Sequence, residues 1–206
     1  QDGDFKGGHA ILQQIMDMAG DRPGLQMVYA LNAFRLGDIE TFYRYHDSRW
    51  ARDGAESVWD LPVPRWDGQP IAGGKLVVQC EQGVGDYVMY AVCFPGLARK
   101  ARDVLVKTMP RMFNLFRRSF PDIQFILEQK LPPDVPVEAV AARTAAGDLP
   151  MLLGGDLEHL PGKAGVLVAE PSLKLKLRKR YESRFPGKRL IGISWRSGNR
   201  DSAATR

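Results

Sequence analysis

The clearest indication of the fold comes from KLVVQCEQGVGDYVMYAVCFPGLARKA, residues 75 to 101. It opens with a nearly continuous apolar run, passes through a turn with two glycines, and continues with apolar residues at helical spacing. An apolar run that enters a helix through a glycine-rich turn is typical of a buried strand in a parallel sheet. The sequence therefore predicts a strand over 75–80, a turn around Gly83 and Gly85, and a helix over 86–101.

Short apolar runs and helical patterns continue to alternate beyond this stretch. Because strands that alternate with helices form parallel sheets covered on both faces, we predict an α/β fold with a Rossmann-like parallel sheet. The predicted strands are 75–80, 103–108, 123–127, 137–142, 165–170 and 190–195, and the predicted helices are 86–101, 110–119 and 172–185.

The first 55 residues show helical periodicity with turn signals between the segments. GDFKGGHAILQQIM and GDIETFYRYHDSRW begin 34 residues apart, at Gly3 and Gly37, and this offset is the period of tetratricopeptide helix pairs. The segment between them has Pro23 as a start signal, which makes three helices. Chance similarity also explains two matched segments. If the repeat is real, neighbouring repeats are expected to stack on it.

These patterns divide the chain into four regions. Residues 1–55 form a small all-α, tetratricopeptide-like segment, and 56–74 form a linker rich in proline, glycine and tryptophan, in which Trp59 and Trp66 contact a surface. Residues 75–200 form the Rossmann-like domain. Residues 201–206 are the start of an inter-domain linker or a truncation.

Composition narrows the class of protein. With 206 residues, 44% of them hydrophobic, the chain can bury one good core. No apolar run reaches 18 residues, so we expect no transmembrane helix. Cys80 and Cys93 lie in apolar surroundings, which predicts reduced core cysteines of a cytoplasmic protein. The three histidines lack ligand spacing, and no metal site is expected.

The net charge of +5 is concentrated in basic residues at 99–118 and 174–189. Solvated helix faces are one explanation. The other is a surface that attracts an anionic sugar, a nucleotide or a lipid head group, and this includes peripheral contact with a membrane surface. No nucleic-acid recognition motif is present, so we expect no nucleic-acid partner.

The turn EQGVGD, residues 81–86, either holds a phosphate or presents a carboxylate. A dinucleotide fingerprint requires a third glycine where Val88 stands, and it requires the helix N-terminus that Asp86 occupies. No Gly-Lys-Ser/Thr follows, which excludes a Walker P-loop. Asp86 fits two compatible roles: an N-cap that satisfies free amides, and a general base at a strand-end cleft.

The chain carries an ordered set of motifs. Trp66-x-Gly68 with Gly73 comes first, then LVVQCEQGVGD at 76–86, Asp-Leu-Pro at 148–150, and IGISWRSGN at 191–199. Together with the helical segment, this set resembles bacterial tetratricopeptide proteins whose repeats lead into a glycosyltransferase module. That module is similar to the ADP-heptose transferases of glycosyltransferase family 9, and the resemblance covers most of the chain.

The resemblance implies a GT-B architecture, in which an acceptor domain and a nucleotide-sugar domain face each other across a cleft. This chain ends about where the second domain is expected, so it would be the acceptor-side half and inactive alone. The implied reaction is an inverting transfer from a nucleotide sugar to a glycan, lipid or protein acceptor, with no cofactor and no metal. The chain has no Asp-x-Asp metal motif.

Carried onto this sequence, the resemblance implies that Asp86 is the catalytic base. The implied substrate-binding residues are Glu81, Gln82, Gly83, Gly85, Ser194, Arg196, Ser197 and Asn199. For Arg196 a surface ion pair competes with a phosphate contact, and for Trp195 packing competes with a sugar platform. The alternative function is a non-catalytic module whose tetratricopeptide-like helices bind a partner protein. A nucleotide-binding enzyme of another class and a structural scaffold are further alternatives.

Overall fold

The computed structural model describes residues 3–19, 22–51, 61–127, 131–154 and 165–193. The chain forms two compact units, Gln1–Leu167 and Val168–Arg206. The helical segment and the sheet therefore belong to one unit, whereas the sequence analysis assigns them to separate domains. The second unit begins inside the region that was predicted to complete the Rossmann-like domain.

Three helices form the N-terminal segment: α1 (Phe5–Ala19), α2 (Pro23–Arg35) and α3 (Ile39–His46), with a 3₁₀ turn, Asp47–Ala51, after them. Pro23 opens α2 as predicted, because its fixed φ suits the first helical turn. Asp38 caps α3, where its carboxylate accepts a hydrogen bond from the Thr41 amide at 3.0 Å. Successive helices contact each other. The three predicted helices are present, and the tetratricopeptide assignment stays a prediction.

A four-stranded parallel sheet forms the centre of the first unit, with the order β3-β2-β1-β4. The predicted α/β class with a parallel sheet is confirmed. β1 lies between β2 and β4, so the strand order reverses beside it, and the carboxyl ends of β1 and β4 mark the switch point where such sheets bind ligands. The strands are β1 (Ile71–Gln79), β2 (Ala101–Lys107), β3 (Gln124–Ile126) and β4 (Val140–Ala145).

Four helices accompany the sheet. They are α4 (Val84–Tyr90), α5 (Phe94–Lys100), α6 (Pro110–Ser119) and α7 (Leu149–Leu153). The predicted helix over 86–101 is in fact α4 and α5, separated by the 3₁₀ turn Ala91–Cys93. Pro95 explains the break, because it has no backbone N–H with which to continue the helical ladder. The predicted helix over 110–119 is confirmed as α6.

The main core lies between one face of the sheet and helices α4 to α6, and Phe94 and Phe116 are fully buried in it. A smaller cluster covers the other face, where Val77 and Leu105 are buried under residues from loops. Because both faces of the central strands are buried, β1 has the continuous apolar run that a one-sided strand would lack.

Both cysteines belong to the main core. Cys80 and Cys93 are buried and free, and burial raises the pKa of each thiol to about 12. They are therefore protonated, unreactive core side chains, as the sequence analysis predicts.

The described part of the predicted linker, residues 61–74, packs more closely against the sheet than expected. The Trp66 amide donates to the Arg143 carbonyl at 2.8 Å, and the Arg143 amide donates to the Pro64 carbonyl at 3.0 Å. This short stretch therefore lies along the outer edge of β4, and β1 already begins at Ile71. The Trp66 ring is buried as predicted, while Trp59 lies outside the described residues.

The second unit contains α8 (Pro171–Arg184), close to the predicted helix over 172–185. Glu170 caps it by accepting hydrogen bonds from the Ser172 and Leu173 amides. The predicted strands are absent from 165–170 and from 190–193, the described part of 190–195. These residues lack the neighbouring strand that a ladder requires. Within the described ranges, no helix combines the length and apolar character of a membrane span.

Candidate functional site at the carboxyl ends of β1 and β4

The turns that follow β1 and β4 lie side by side, because Gln79 pairs with Ala145 where the two strands end. The amide of Gly147, in the 3₁₀ turn Ala146–Asp148, donates to Glu81 Oε1 at 3.0 Å. A Cβ at position 147 would lie only 2.5 Å from this oxygen, so the close approach requires glycine. One hydrogen bond thus joins the two loops of the switch point.

Arg49, from the 3₁₀ turn after α3, enters between these two loops. Its Nε and Nη2 donate to the Glu81 carboxylate, both at 3.0 Å, and Nη2 also donates to Asp148 Oδ1 at 2.5 Å. Its Nη1 donates to His46 Nδ1 and to the His46 carbonyl, both at 3.0 Å. All five guanidinium donors are used, on a side chain that is 4% exposed. We call Arg49, Glu81, Asp148 and His46 the Arg49 network.

The charges of the network follow from its burial. Burial lowers the pKa of Arg49, but its contacts with Glu81 and Asp148 outweigh this effect and raise it overall. Burial raises the pKa of Glu81, against the opposing effect of Arg49. Burial, together with the Arg49 cation, lowers the pKa of His46 to about 3, so its ring is neutral at pH 7. Because Arg49 can only donate, His46 Nδ1 is the acceptor nitrogen and its proton is on Nε2.

Asp86 lies in the first turn of α4, at the open side of the same loop. Gly83 is the N-cap of α4, and Asp86 stands three residues later, so the prediction that Asp86 is itself the N-cap is wrong. Its Oδ2 accepts a hydrogen bond from the Gly83 amide at 3.0 Å, as in half of a capping box. The side chain is half-buried, and its Oδ1 has no hydrogen-bond partner among the residues that the structure describes.

The predicted loop residues separate into two groups. Gln82, Gly83 and Gly85 are exposed beside Asp86, whereas Glu81 is buried and its carboxylate oxygens are both bonded to protein donors. Gln82 has a φ of 64°, a left-handed conformation that costs a residue other than glycine about 1 kcal/mol. The strained residue therefore marks the point where the chain turns from the buried end of the loop to the exposed end.

Tyr90 lies one helical turn after Asp86 and contributes to the same environment. Its side chain is buried, and burial, followed by the negative charges of Glu81 and Asp86, raises its pKa to about 12. The tyrosine is therefore a neutral neighbour of both carboxylates. The sequence analysis did not select it, because it reads as an ordinary core position of the helix.

The remaining predicted site residues, Ser194, Arg196, Ser197 and Asn199, lie outside the described residues, as does Trp195. The sequence analysis missed Arg49 and His46, since HDSRW, residues 46–50, matches no motif of a binding or catalytic site. It used Asp148 only as part of a motif. No group of three histidine, cysteine or acidic residues is arranged to hold a metal ion in the described part of the chain.

Comparisons with known proteins place few constraints on this site. No protein-family profile and no solved structure matches the chain. The chain is similar to Protein FlbA of Caulobacter vibrioides, with 24% identity over 187 residues that cover 84% of this chain and 31% of FlbA. The chain therefore spans about a third of that relative's length.

Proposed function

We propose that the protein is the acceptor-side half of a GT-B glycosyltransferase, which transfers a sugar with inversion and without a metal ion. The acceptor would be a glycan, a lipid or a protein, and the donor a nucleotide sugar. The observation that carries the proposal is the position of Asp86. It is half-buried at the carboxyl end of β1, with one oxygen held by Gly83 and the other open. Ligands of open α/β sheets bind at this place.

In the proposed reaction, Asp86 takes the proton of an acceptor hydroxyl as the oxygen attacks the anomeric carbon of the donor. The new bond joins the acceptor oxygen to this carbon, and the bond to the nucleoside diphosphate breaks, with its electron pair leaving on the phosphate oxygen. The transition state resembles an oxocarbenium ion. Basic side chains, with Arg196 as the candidate, would stabilise the departing diphosphate.

The Arg49 network supports this assignment by elimination. Glu81, the other carboxylate of the loop, is buried and ion-paired with Arg49, so it is unsuited to meet a substrate hydroxyl. A general base must also be held at a defined position, and the contacts of Glu81 with Arg49 and Gly147 fix the loop that leads to Asp86.

Asp86→Asn in the full-length protein tests the proposal. We expect turnover, measured as release of nucleoside diphosphate, to fall at least about 100-fold. The fold should survive, because the asparagine carboxamide can still accept the Gly83 hydrogen bond. Asp122→Asn, at an exposed aspartate after α6, is the matched control and should keep full turnover. Full activity of a folded Asp86→Asn protein would refute the base role.

One observation favours the alternative function, a non-catalytic module that binds a partner protein. No residue of α1 is buried, and Ile11, Ile15 and Met18 follow one another at helical spacing with exposed fractions of 59%, 40% and 88%. Such a face suits either a stacked repeat or a partner helix. A parent gene without a second α/β domain would favour this alternative, and a cytoplasmic location is proposed in both cases from the free cysteines.

A further inference from the structure

A cavity of about 170 Å³ lies within the first unit, between the helical segment and the sheet. Its walls come from α3 and the turn after it, from residues 65–66, and from the stretch between Asp148 and Leu152. This volume corresponds to about five or six water molecules, comparable with a single sugar ring. The transfer proposed above makes no use of this cavity.

The cavity wall contains hydrogen-bonding groups that the protein itself leaves unused. His46 is 3% exposed and carries its proton on Nε2, for which the described residues offer no acceptor. The Tyr43 hydroxyl likewise has no hydrogen-bond partner among the described residues. Asp148 Oδ2 has only a long contact, 3.4 Å, with Arg65. These groups border the cavity and can hydrogen-bond to whatever fills it, so they favour a polar occupant.

The rest of the wall is apolar. The Trp66 indole N–H is already bonded to the Gln69 carbonyl at 2.8 Å, so the indole has no donor left for a ligand and contributes apolar surface. Met151 and Leu152 add aliphatic surface. An aromatic wall combined with a few separate donors and acceptors matches a molecule that has both C–H faces and hydroxyl groups.

The charges around the cavity further restrict the class of ligand that it can bind. Arg65 and Asp47 form a bidentate pair at 2.7 and 2.9 Å, and Arg49 is paired with Glu81 and Asp148. Among the described residues that line the cavity, Arg65 is the only cation, and it faces the carboxylates of Asp47 and Asp148 beside a neutral His46. The described lining therefore has no excess positive charge to hold a phosphate or a sugar acid. The local balance disfavours anions and permits an uncharged ligand.

We propose that this cavity binds one uncharged sugar residue through His46, Tyr43 and Asp148, with Trp66 as its apolar wall. The cavity shares Tyr43 and Met151 with an open groove of about 430 Å³ along α3 and α7, through which the rest of a glycan can leave. That the bound residue belongs to the acceptor rests on the proposed function. That the ligand is a sugar rests on the lining alone.

Titration of the 206-residue chain tests the site. The probes are methyl glycosides of glucose, galactose and mannose, the matching uronic acids and inorganic phosphate, followed in ¹H–¹⁵N spectra through the Trp66 indole signal. We expect saturable millimolar binding of at least one neutral glycoside. Tyr43→Phe should weaken it about 3- to 10-fold, because it removes one hydroxyl that the protein does not use.

Two matched variants test whether the sugar binds in this cavity. Met151→Trp fills the cavity from a half-exposed position and should abolish binding, while Met18→Trp makes the same substitution on α1 and should leave binding unchanged. Asp86→Asn should also bind normally, so a failure of the transfer reaction and a failure of this site are separable. No binding by any glycoside, preferred binding of uronic acid or phosphate, or unchanged binding in Met151→Trp would each overturn the proposal.

Discussion

Glu81 and Asp86 are carboxylates at the two ends of one short turn, and the fold gives them opposite environments. Glu81 is 5% exposed and bonded to Arg49 and Gly147, whereas Asp86 is half-buried and keeps one oxygen open. Local sequence does not show which of them is buried, since both are acids of one glycine-containing turn that follows an apolar strand. The difference comes from Arg49, which lies 32 residues before Glu81 in the chain and reaches only one end of the turn.

One loop can therefore be held rigidly at the Glu81 end and still present an accessible carboxylate, Asp86, at the other end. A buried ion pair contributes little net stability, because desolvation offsets the attraction, but removal of one partner leaves an uncompensated charge. The Arg49 network therefore makes the helical segment and the two loops interdependent. Asp86 has no such cationic partner within the described ranges, and its substitution should affect chemistry rather than folding.

The largest expected effect comes from Arg49→Ala. It leaves the buried carboxylates of Glu81 and Asp148 without their cation, so the free energy of unfolding should fall by about 3–5 kcal/mol. Urea unfolding followed by circular dichroism measures the loss. Arg44→Ala is the matched control, because Arg44 pairs with Glu40 on the exposed surface of α3 and should cost about 0.5 kcal/mol or less. Equal losses in the two variants would remove the distinction between the network and a surface pair.

Substitution of each carboxylate by its amide compares the two ends of the turn directly. In Glu81→Gln, the carboxamide faces Arg49 with either its NH₂ group, which cannot accept a hydrogen bond, or its carbonyl oxygen, which is a weaker acceptor than a carboxylate. The substitution should lower the free energy of unfolding by about 1.5–3 kcal/mol. Asp86→Asn should cost less than about 1 kcal/mol, since the helix keeps its capping acceptor. The same urea unfolding experiment measures both. A larger loss for Asp86→Asn would reverse the assignment of the structural end.

The pH dependence of stability tests the buried His46. Its pKa of about 3 in the folded chain lies below the value of 6.5 in the unfolded chain. Between these two pH values, His46 is therefore protonated in the unfolded chain but not in the folded chain. The free energy of unfolding should therefore fall as the pH drops from 6.5 towards 3, by at most about 1.4 kcal/mol per pH unit. The raised pKa of Glu81 makes the free energy of unfolding change in the opposite direction at acidic pH. The contribution of His46 to the pH dependence is therefore clearest near the upper end of the pH range, close to pH 6.5.

His46→Asn is the control for this prediction. Asparagine keeps an acceptor for Arg49 but does not titrate, and the other charged neighbours, Asp47 and Arg49, are unchanged. Unfolding measured over a pH series should show a shallower slope in the variant. Parallel slopes in the two proteins would mean that His46 is protonated in the fold.

The smallest effect is expected at Gln82, between the two ends. Gln82→Gly relieves the left-handed backbone but loosens the unfolded chain, so the free energy of unfolding should change by less than about 1 kcal/mol in either direction. Turnover of the full-length protein distinguishes the effect of the backbone conformation from that of a substrate contact made by the Gln82 side chain. If the Gln82 amide contacts substrate as predicted, turnover falls while stability holds, and unchanged turnover would remove Gln82 from the site.

Much of the first unit is predictable because its signals are local. The apolar run at β1, the glycine turn and the α6 pattern each depend on neighbouring residues, and the parallel sheet follows from their alternation. The errors occur where partners matter. The expected strand over 165–170 forms no ladder in the described structure, and the predicted helix over 86–101 is interrupted just before Pro95.

The parallel α/β sheet, and the acids and glycines that follow its first strand, could be predicted from local patterns, because strand and turn propensities act over a few residues. The pattern could not show which of the two acids is buried, since that depends on a guanidinium from the helical segment and a carboxylate 99 residues away from it. A buried carboxylate with an ion-pair partner, such as Glu81, acts as a structural contact, whereas a carboxylate that keeps an open oxygen, such as Asp86, can react with a ligand.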